Sequence, residues 1–233
     1  MTCTLYLVRH GETAMNKASR LQGISDEPLT AKGRAAAARL GHLLAPLPLT
    51  AAYASDRLRA VNTAQALLQA HPDVTLHQDT GLREYYFGGL EGERERRLIR
   101  DSLARYGVGT MTRAWTQGDR FAQLIRNFQR LDPTGQAESL PALKRRVLAS
   151  LRRIVAAQPE GAQVLVVAHG VVLSAAIHAL APNALPTTLL KNTSVTQVLV
   201  AGEQWQVGAV NLTRGVAIQR LVQDAKDSAQ SPL

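Results

Sequence analysis

Cysteine, aromatic residues and long apolar runs are all scarce in this sequence of 233 residues. Cys3 is the only cysteine, which excludes an internal disulfide and a CxxC metal or redox motif. Aromatic residues make up 4% of the chain, and no apolar run approaches the roughly 20 residues that span a bilayer. The apolar run after Met1 is short and ends at Arg9, which does not fit a signal peptide. We therefore expect a soluble protein of the reducing cytoplasm, with no membrane partner.

Positive charge is in excess. The sequence has 27 Lys and Arg and 18 Asp and Glu, which gives a net charge of +9. The resulting pI near 10.3 favours anionic partners. The arginines do not alternate with aromatic residues, and no helix-turn-helix, RNP-type or zinc-finger spacing is present. These patterns predict no nucleic-acid partner and favour a small phosphorylated substrate.

Strand and helix patterns alternate along most of the chain. Apolar runs at about Thr4–Val8, Ala51–Ala54 and Val74–Gln78 predict strands, and Thr30 precedes an alanine-rich helix that ends near Leu44. Such alternation indicates βαβ units. The predicted fold class is α/β, a three-layer αβα sandwich with a mostly parallel central sheet.

Three further local patterns are specific enough to test. Ser55 and Asp56 are expected to cap a helix that follows them. The stretch Ala137–Gln158 has an apolar stripe at helical spacing and predicts one long helix. Ser194–Val200 and Gln204–Val210 are separated by a glycine-containing turn and predict a hairpin.

One arginine-rich segment, at about 92–130, breaks the alternation and predicts two helices inserted near the active site. The alternative is a solvated helical excursion that does not contact substrate. We find no linker, so residues 1–222 are expected to form a single domain. The polar residues 223–233 are expected to form a flexible tail. The oligomeric state is left open, with a homodimer as one alternative.

Two histidines each follow a predicted buried strand and precede a glycine. His10 comes after the run Leu5–Val8, and His169 comes after Val164–Ala168. In open α/β sheets, ligands bind at the carboxyl ends of the strands. Both histidines would therefore face one crevice if their strands are neighbours, whereas a lone histidine would more simply be structural.

Five sequence blocks around these residues resemble one family. They read LYLVRHGETAMN, RLQGISDEPLT, YASDRLRAVNTA, LREYYFGGLEG and VLVVAHG, in this order. The sequence is similar in these blocks to the histidine phosphatase (phosphoglycerate mutase-like) superfamily, over about residues 4–213. The resemblance implies an enzyme that transfers phosphoryl groups through a phosphohistidine.

The resemblance also implies catalytic roles for three residues. His10 is the expected nucleophile, because a neutral imidazole nitrogen can attack phosphorus. His169 is expected to contact the transferred phosphoryl group. Glu84 is the expected general acid, which protonates the leaving oxygen and later activates water. Glu91 is its competitor, although its position favours a charge at the start of the following helix.

Positive charge around the phosphoryl oxygens is expected from Arg9 and Arg59, whose forked donors suit phosphate. Arg59 also falls in the first turn of a helix, where free N–H groups favour an anion. Asn16 resembles a further phosphate contact, and Gln22 and Gly23 resemble substrate contacts. Each of these three could equally be a polar group that closes the loop.

No metal ion and no cofactor are expected. His10 and His169 could pair at a metal in principle, but no carboxylate pattern such as HExxH accompanies them. The sequence thus predicts a phosphomonoester hydrolase for a small phosphorylated metabolite. A phosphoglycerate mutase-type activity is the alternative. Glu84 is followed by the residues YYFG, not by the Arg-His-Tyr run of phosphoglycerate mutases, which favours hydrolysis.

Overall fold

A six-stranded sheet forms the centre of the protein, in a computed structural model that describes residues 2–105, 119–186 and 189–230. The strands are β1 (Thr2–Arg9), β2 (Ala51–Ala54), β3 (Leu76–Gln78), β4 (Ala162–Ala168), β5 (Val195–Ala201) and β6 (Gln204–Val207). Their order across the sheet is β3-β2-β4-β1-β5-β6. The first four in this order are parallel, whereas β5 and β6 form an antiparallel hairpin at one edge. The prediction of a mostly parallel sheet and the hairpin are thus confirmed.

Helices cover both faces of the sheet. They are α1 (Ala14–Lys17), α2 (Ala31–Leu44), α3 (Leu58–Leu68), α4 (95–105), α5 (Arg120–Leu131), α6 (Leu140–Ala156), α7 (Gly170–Leu180) and α8 (Gly215–Gln230). Alternate residues of a strand point to opposite faces. Accordingly, Leu5 and Leu7 of β1 belong to a core shared with α5, α6 and α7, whereas Tyr6 and Val8 belong to a second core with α2, α3 and α8. The three-layer αβα prediction is confirmed.

Strands β1 and β4 lie side by side, and their ends bring the two histidines together. Arg9 of β1 pairs with Ala168 of β4 in the parallel register, and the His10 amide donates to the Ala168 carbonyl at 2.9 Å. Every residue of β4 is buried, which explains its continuous apolar run. His10 and His169 therefore leave the sheet at the same edge, as the strand ends predict.

The start of α3 differs from the prediction. The helix begins at Leu58, and its N-cap residue, Arg57, makes no capping hydrogen bond through its side chain. The Leu58 amide instead donates to Oδ1 of Asp26 at 2.6 Å, and Ser55 accepts only from the Arg57 amide, at 3.4 Å. The prediction of a Ser55–Asp56 cap is wrong, because the capping carboxylate comes from a distant loop.

Helix α6 is shorter than predicted at its start. It begins at Leu140, with Ser139 as N-cap accepting from the Ala142 amide and Pro141 in the first turn. Ser139 marks the N-terminus of the helix, because its hydroxyl accepts from a backbone amide of the first turn. Residues 137–139 therefore precede the helix.

The inserted segment contains helices α4 and α5, which agrees with the predicted pair of helices. The connection at 106–118 lies outside the described residues. Phe121, Ile125 and Phe128 of α5 are buried in the core, so this helix is part of the packed domain.

The C-terminal helix continues through residues 223–230, where the sequence analysis expects a flexible tail. Leu221 and Val222 are buried and Ala225 packs against the second core, so apolar contacts continue past the polar start of the predicted tail. The domain limit at 222 stays a prediction, and residues 231–233 lie outside the described residues. None of the helices in the described part of the chain has the length and apolar character needed to cross a bilayer.

Candidate active site

His10 is held in the form that can attack phosphorus. Its Nδ1 lies 2.8 Å from the carbonyl oxygen of Gly11. A carbonyl only accepts, so Nδ1 carries the proton and the lone pair is on Nε2. Burial, and then the positive charges of Arg59 and Arg9, hold the pKa of His10 well below its ordinary value. The ring is therefore neutral near pH 7.

His169 faces His10, with ring centroids 5.1 Å apart and ring planes at 62°. The Nε group of Arg59 donates to Nδ1 of His169 at 3.1 Å, so the proton of the neutral ring is on Nε2. Burial first, and then Arg59, hold the pKa of His169 well below its ordinary value. Its Nε2 is buried and has no partner in the described part of the chain. His169 thus supplies an N–H donor beside His10.

Arg59 is fully buried and connects three parts of the site. Besides His169, its guanidinium donates to the carbonyls of Ser25 at 2.6 Å, Gly23 at 3.0 Å and Gln22 at 3.3 Å. Burial lowers the pKa of Arg59 to about 10, and the charge of Glu84 opposes this shift. Arg59 therefore stays charged and fixes the loop at 22–25. Its contact with phosphate stays a prediction.

Arg9 lies at the end of β1, and its guanidinium packs against Gly170 at the start of α7. An ideal Cβ added to Gly170 would lie 3.2 Å from Cζ of Arg9, so a larger residue there would require the guanidinium to shift. Nη1 of Arg9 donates to the carbonyl of Leu190, whereas Nε is buried and has no partner within residues 2–105, 119–186 and 189–230. Burial lowers the pKa of Arg9, and the carboxylates of Glu84 and Glu95 oppose this.

Glu84 lies at the N-terminus of α7, the helix that begins directly after His169. One carboxylate oxygen accepts from the amides of Tyr85 and Val172, both at 2.9 Å, and the other accepts from Val171 at 3.0 Å. Free amides at a helix N-terminus attract a carboxylate. The structure thus brings the predicted acid to the same helix start as His169.

Glu91 does not lie at the start of a helix, which corrects the prediction. It instead accepts hydrogen bonds from the loop at 22–25, the loop to which Arg59 also bonds. Its carboxylate accepts from the Gly23 amide at 3.0 Å, and from the Ser25 amide and hydroxyl at 3.1 and 2.6 Å. An added Cβ at Gly23 would lie 2.6 Å from the Tyr85 carbonyl, so the loop approaches closely there. The Gly23 amide is already bonded, and the predicted substrate contact of Gly23 is untested.

Gln22 and Asn16 are both tied to Thr13. The Thr13 hydroxyl donates to Oε1 of Gln22 at 2.7 Å, while Nε2 of Gln22 is buried and no described residue accepts from it. Asn16 closes a capping box with Thr13 and accepts from Nδ2 of Asn192 at 3.1 Å. Gln22 thus offers a free donor, whereas the Asn16 oxygen is already bonded within the loop.

Sequence reasoning missed two residues that position His10 and its neighbour. Thr63 of α3 accepts from the Gly11 amide at 2.9 Å and donates to the Arg59 carbonyl at 2.7 Å. Asn192 donates to the His10 carbonyl at 2.9 Å. Thr63 follows Arg59 by one helical turn, which is a usable signal. Asn192 lies in a loop and offers none.

Four side chains in and next to the site carry a buried donor atom without a described hydrogen-bond partner. The atoms Arg9 Nε, Gln22 Nε2, Arg57 Nε and His169 Nε2 are buried and have no partner among the residues that the structure describes. Leaving several buried donors unpaired is costly unless a ligand accepts from them. An oxyanion next to His10 would accept these hydrogen bonds. No group of three or more metal-binding side chains occurs in the part of the chain that the structure describes.

Comparison with known proteins agrees with this arrangement. The family model for the histidine phosphatase superfamily (branch 1) matches residues 5–213. The chain belongs to this superfamily. A probable phosphoglycerate mutase of Salmonella arizonae is 36% identical over 209 residues, which cover 86% of each chain.

Two solved structures show the same fold with different names. A phosphoglycerate mutase from Bacillus anthracis has a TM-score of 0.85 and 31% identity, covering 94% of this chain and 97% of its own. A mycobacterial glucosyl-3-phosphoglycerate phosphatase, solved with VO3, has a TM-score of 0.69 and 28% identity, covering 89% and 98%. The relatives are thus named as both mutases and phosphatases, and the protein is an enzyme of this superfamily.

Proposed function

We propose that the protein hydrolyses phosphomonoesters of small metabolites through a phosphohistidine on His10. The observation that carries this proposal is a pair of buried donors next to a neutral His10, Nε of Arg9 and Nε2 of His169, which have no partner within the described residues. An uncharged ligand would only weakly offset the free-energy cost of burying these donors, whereas a phosphoryl group presents three anionic oxygens that accept from them. Its phosphorus would then lie next to the Nε2 lone pair.

In the first step, Nε2 of His10 attacks phosphorus and the bond to the leaving oxygen breaks. The protonated carboxyl of Glu84 gives its proton to that oxygen, which leaves as an alcohol. To do so, one Glu84 oxygen must release a backbone amide, since both oxygens accept in the free site. His169 and Arg9 stabilise the charge on the remaining phosphoryl oxygens.

In the second step, water attacks the phosphohistidine. Glu84, now a carboxylate, takes a proton from this water while the P–N bond breaks. The products are inorganic phosphate and free His10, and the proton is back on Glu84. The positive charge that this chemistry needs comes from side chains already in the site, so we propose that it proceeds without a metal ion.

A mutase activity is the second candidate, because relatives at 31% and 36% identity are named phosphoglycerate mutases. The loop after Glu84 favours hydrolysis instead. Tyr85 is fully buried, and its ring packs against Phe87 at 4.9 Å and Phe128 at 5.6 Å. This position therefore adds no charged group to retain a second phosphate.

A panel of phosphorylated metabolites separates the two activities. Released phosphate and the isomerisation of 3-phosphoglycerate should be measured in parallel, in wild type, His10→Ala and the exposed control His42→Ala. We expect phosphate release that is lost only in His10→Ala. Isomerisation exceeding phosphate release, and lost with His10, would establish the mutase instead. Activity that persists in His10→Ala would refute both.

A further inference from the structure

A basic cavity lies outside the catalytic residues, between the end of α1 and the start of α4. It has a volume of about 510 Å³ and is lined by Arg20, Glu93, Arg94, Arg96, Arg97 and Arg100. We call this cavity the arginine groove. A smaller cavity of about 340 Å³ adjoins it through Arg94 and Arg96 and adds Lys17, Ala18, Ser19, Glu95 and Ile99 to the lining. None of the catalytic residues lines either cavity.

The backbone holds the two sides of the groove together. Arg20 and Arg94 form an antiparallel bridge, and the amides of Leu21 and Glu95 donate to the carbonyls of Glu93 and Ser19. Residues opposite each other in such a bridge have neighbouring side chains, and like charges in this position repel. The bridge therefore places Arg20 and Arg94 opposite each other, and Arg20 Nη1 donates to the Gly92 carbonyl at 2.8 Å.

The carboxylates nearby neutralise only part of this charge. Glu93 and Asp101 are both paired with Arg97, at 2.7 and 3.5 Å, and Asp101 also pairs with Arg100 at 2.9 Å. Within the described residues, the side chains of Arg94 and Arg96 make no hydrogen bond or ion pair. Both side chains are exposed. The groove thus keeps two arginines available for a ligand.

We propose that the arginine groove is a second, non-catalytic site that binds a small molecule with several phosphate groups. Forked guanidinium donors bind phosphate oxygens in pairs, and several arginines require several anionic groups. A cavity of 510 Å³ is within the usual size for small-molecule sites. Its concave shape favours a compact polyanion over an extended nucleic acid, which needs a longer basic track. The proposal does not depend on the proposed catalytic function.

Binding of tripolyphosphate, measured by isothermal titration calorimetry on the full chain, tests the proposal. The variant Arg94→Ala/Arg96→Ala should bind it about tenfold more weakly than wild type, because two charge-assisted contacts are lost. Arg39→Ala/Arg152→Ala removes the same charge from exposed positions on α2 and α6 and should bind as wild type does. Turnover of p-nitrophenyl phosphate should stay within about twofold in both variants, which shows that they are folded.

Three results would overturn the proposal. Equal binding by wild type and the Arg94→Ala/Arg96→Ala variant would place the tripolyphosphate in the catalytic pocket. An equal loss in the Arg39→Ala/Arg152→Ala control would show attraction by net charge alone. Tighter binding of a single-stranded oligonucleotide than of tripolyphosphate, with the same dependence on Arg94 and Arg96, would assign the groove to nucleic acid. If the alanine variant does not fold, Arg94→Gln/Arg96→Gln keeps the side-chain length and serves in its place.

Discussion

The catalytic pocket and the arginine groove both hold clustered arginines, but they hold them in opposite ways. Arg59 in the pocket is 0% exposed and bonded to three carbonyls and a histidine, whereas Arg97 and Arg100 in the groove have side chains 56% and 73% exposed. Charge interactions are strong when desolvated and weak when solvated and screened by salt. We therefore expect the pocket to support chemistry and the groove to support binding alone.

A charge-conserving substitution gives the largest expected contrast between the two regions. Lysine cannot donate in the planar fork that Arg59 uses, so Arg59→Lys leaves carbonyls of the loop at 22–25 and His169 without their donor. We expect kcat/KM for p-nitrophenyl phosphate to fall by about 10²-fold or more, and stability to fall by about 2–4 kcal/mol. Steady-state kinetics and denaturant unfolding measure both.

The matched control is Arg96→Lys in the groove. It should change kcat/KM and the free energy of unfolding little. The Arg96 side chain is exposed and makes no hydrogen bond or ion pair within the described residues. Equal losses in Arg59→Lys and Arg96→Lys would contradict the contrast between the two regions.

Within the pocket, Glu84 and Glu91 should differ in their dependence on the leaving group. Glu84→Gln removes the proton donor, so hydrolysis of a glycerate phosphate should fall by about 10²–10⁴-fold. Cleavage of p-nitrophenyl phosphate should fall much less, because nitrophenolate leaves without a proton. Parallel kinetics on the two substrates measure this difference.

Glu91→Gln is the matched control for Glu84→Gln. It loosens the loop at 22–25 through its bonds to Gly23 and Ser25, so both substrates should lose activity to a similar extent. If Glu91→Gln loses activity selectively on the glycerate phosphate and Glu84→Gln does not, Glu91 is the proton donor and the two roles are exchanged.

The buried histidines should make stability depend on pH. The folded-state pKa of His10 and of His169 is well below the value of about 6.5 expected in the unfolded chain. The unfolded chain therefore binds more protons as the pH falls through 6.5, and the folded state loses stability there. Each histidine contributes a slope of up to about 1.4 kcal/mol per pH unit.

Denaturant titrations at pH 7.5, 6.5 and 5.5 measure this slope. His169→Gln should reduce it, whereas substitution of the exposed His42 by Gln should leave it unchanged. The same slope in wild type and His169→Gln would show that His169 is not held neutral by burial.

Local sequence patterns predicted the parts of the site that depend on strand ends. The buried runs before His10 and His169 end side by side in the sheet, because parallel neighbours present their carboxyl ends at one edge. The block around Glu84 likewise placed that residue near the pocket. These signals are short in sequence and need no knowledge of distant contacts.

The parts that sequence reasoning missed depend on contacts between distant residues. Asp26 caps α3 across 32 residues, Glu91 braces Gly23 across 68, and Asn192 bonds to His10 across 182. The local sequence around each of these residues contains no pattern that indicates its role. Its role appears only when the sheet and its loops are assembled.

Rapid-quench labelling of the protein with a phosphorylated substrate tests the central claim most directly. After quenching in base, mass spectrometry should locate a phosphate on His10 that is stable in base, labile in acid and absent from His10→Ala. It should form and decay at rates that account for turnover. Phosphate on His169 instead, or full turnover with no phosphoprotein at any time, would contradict the account.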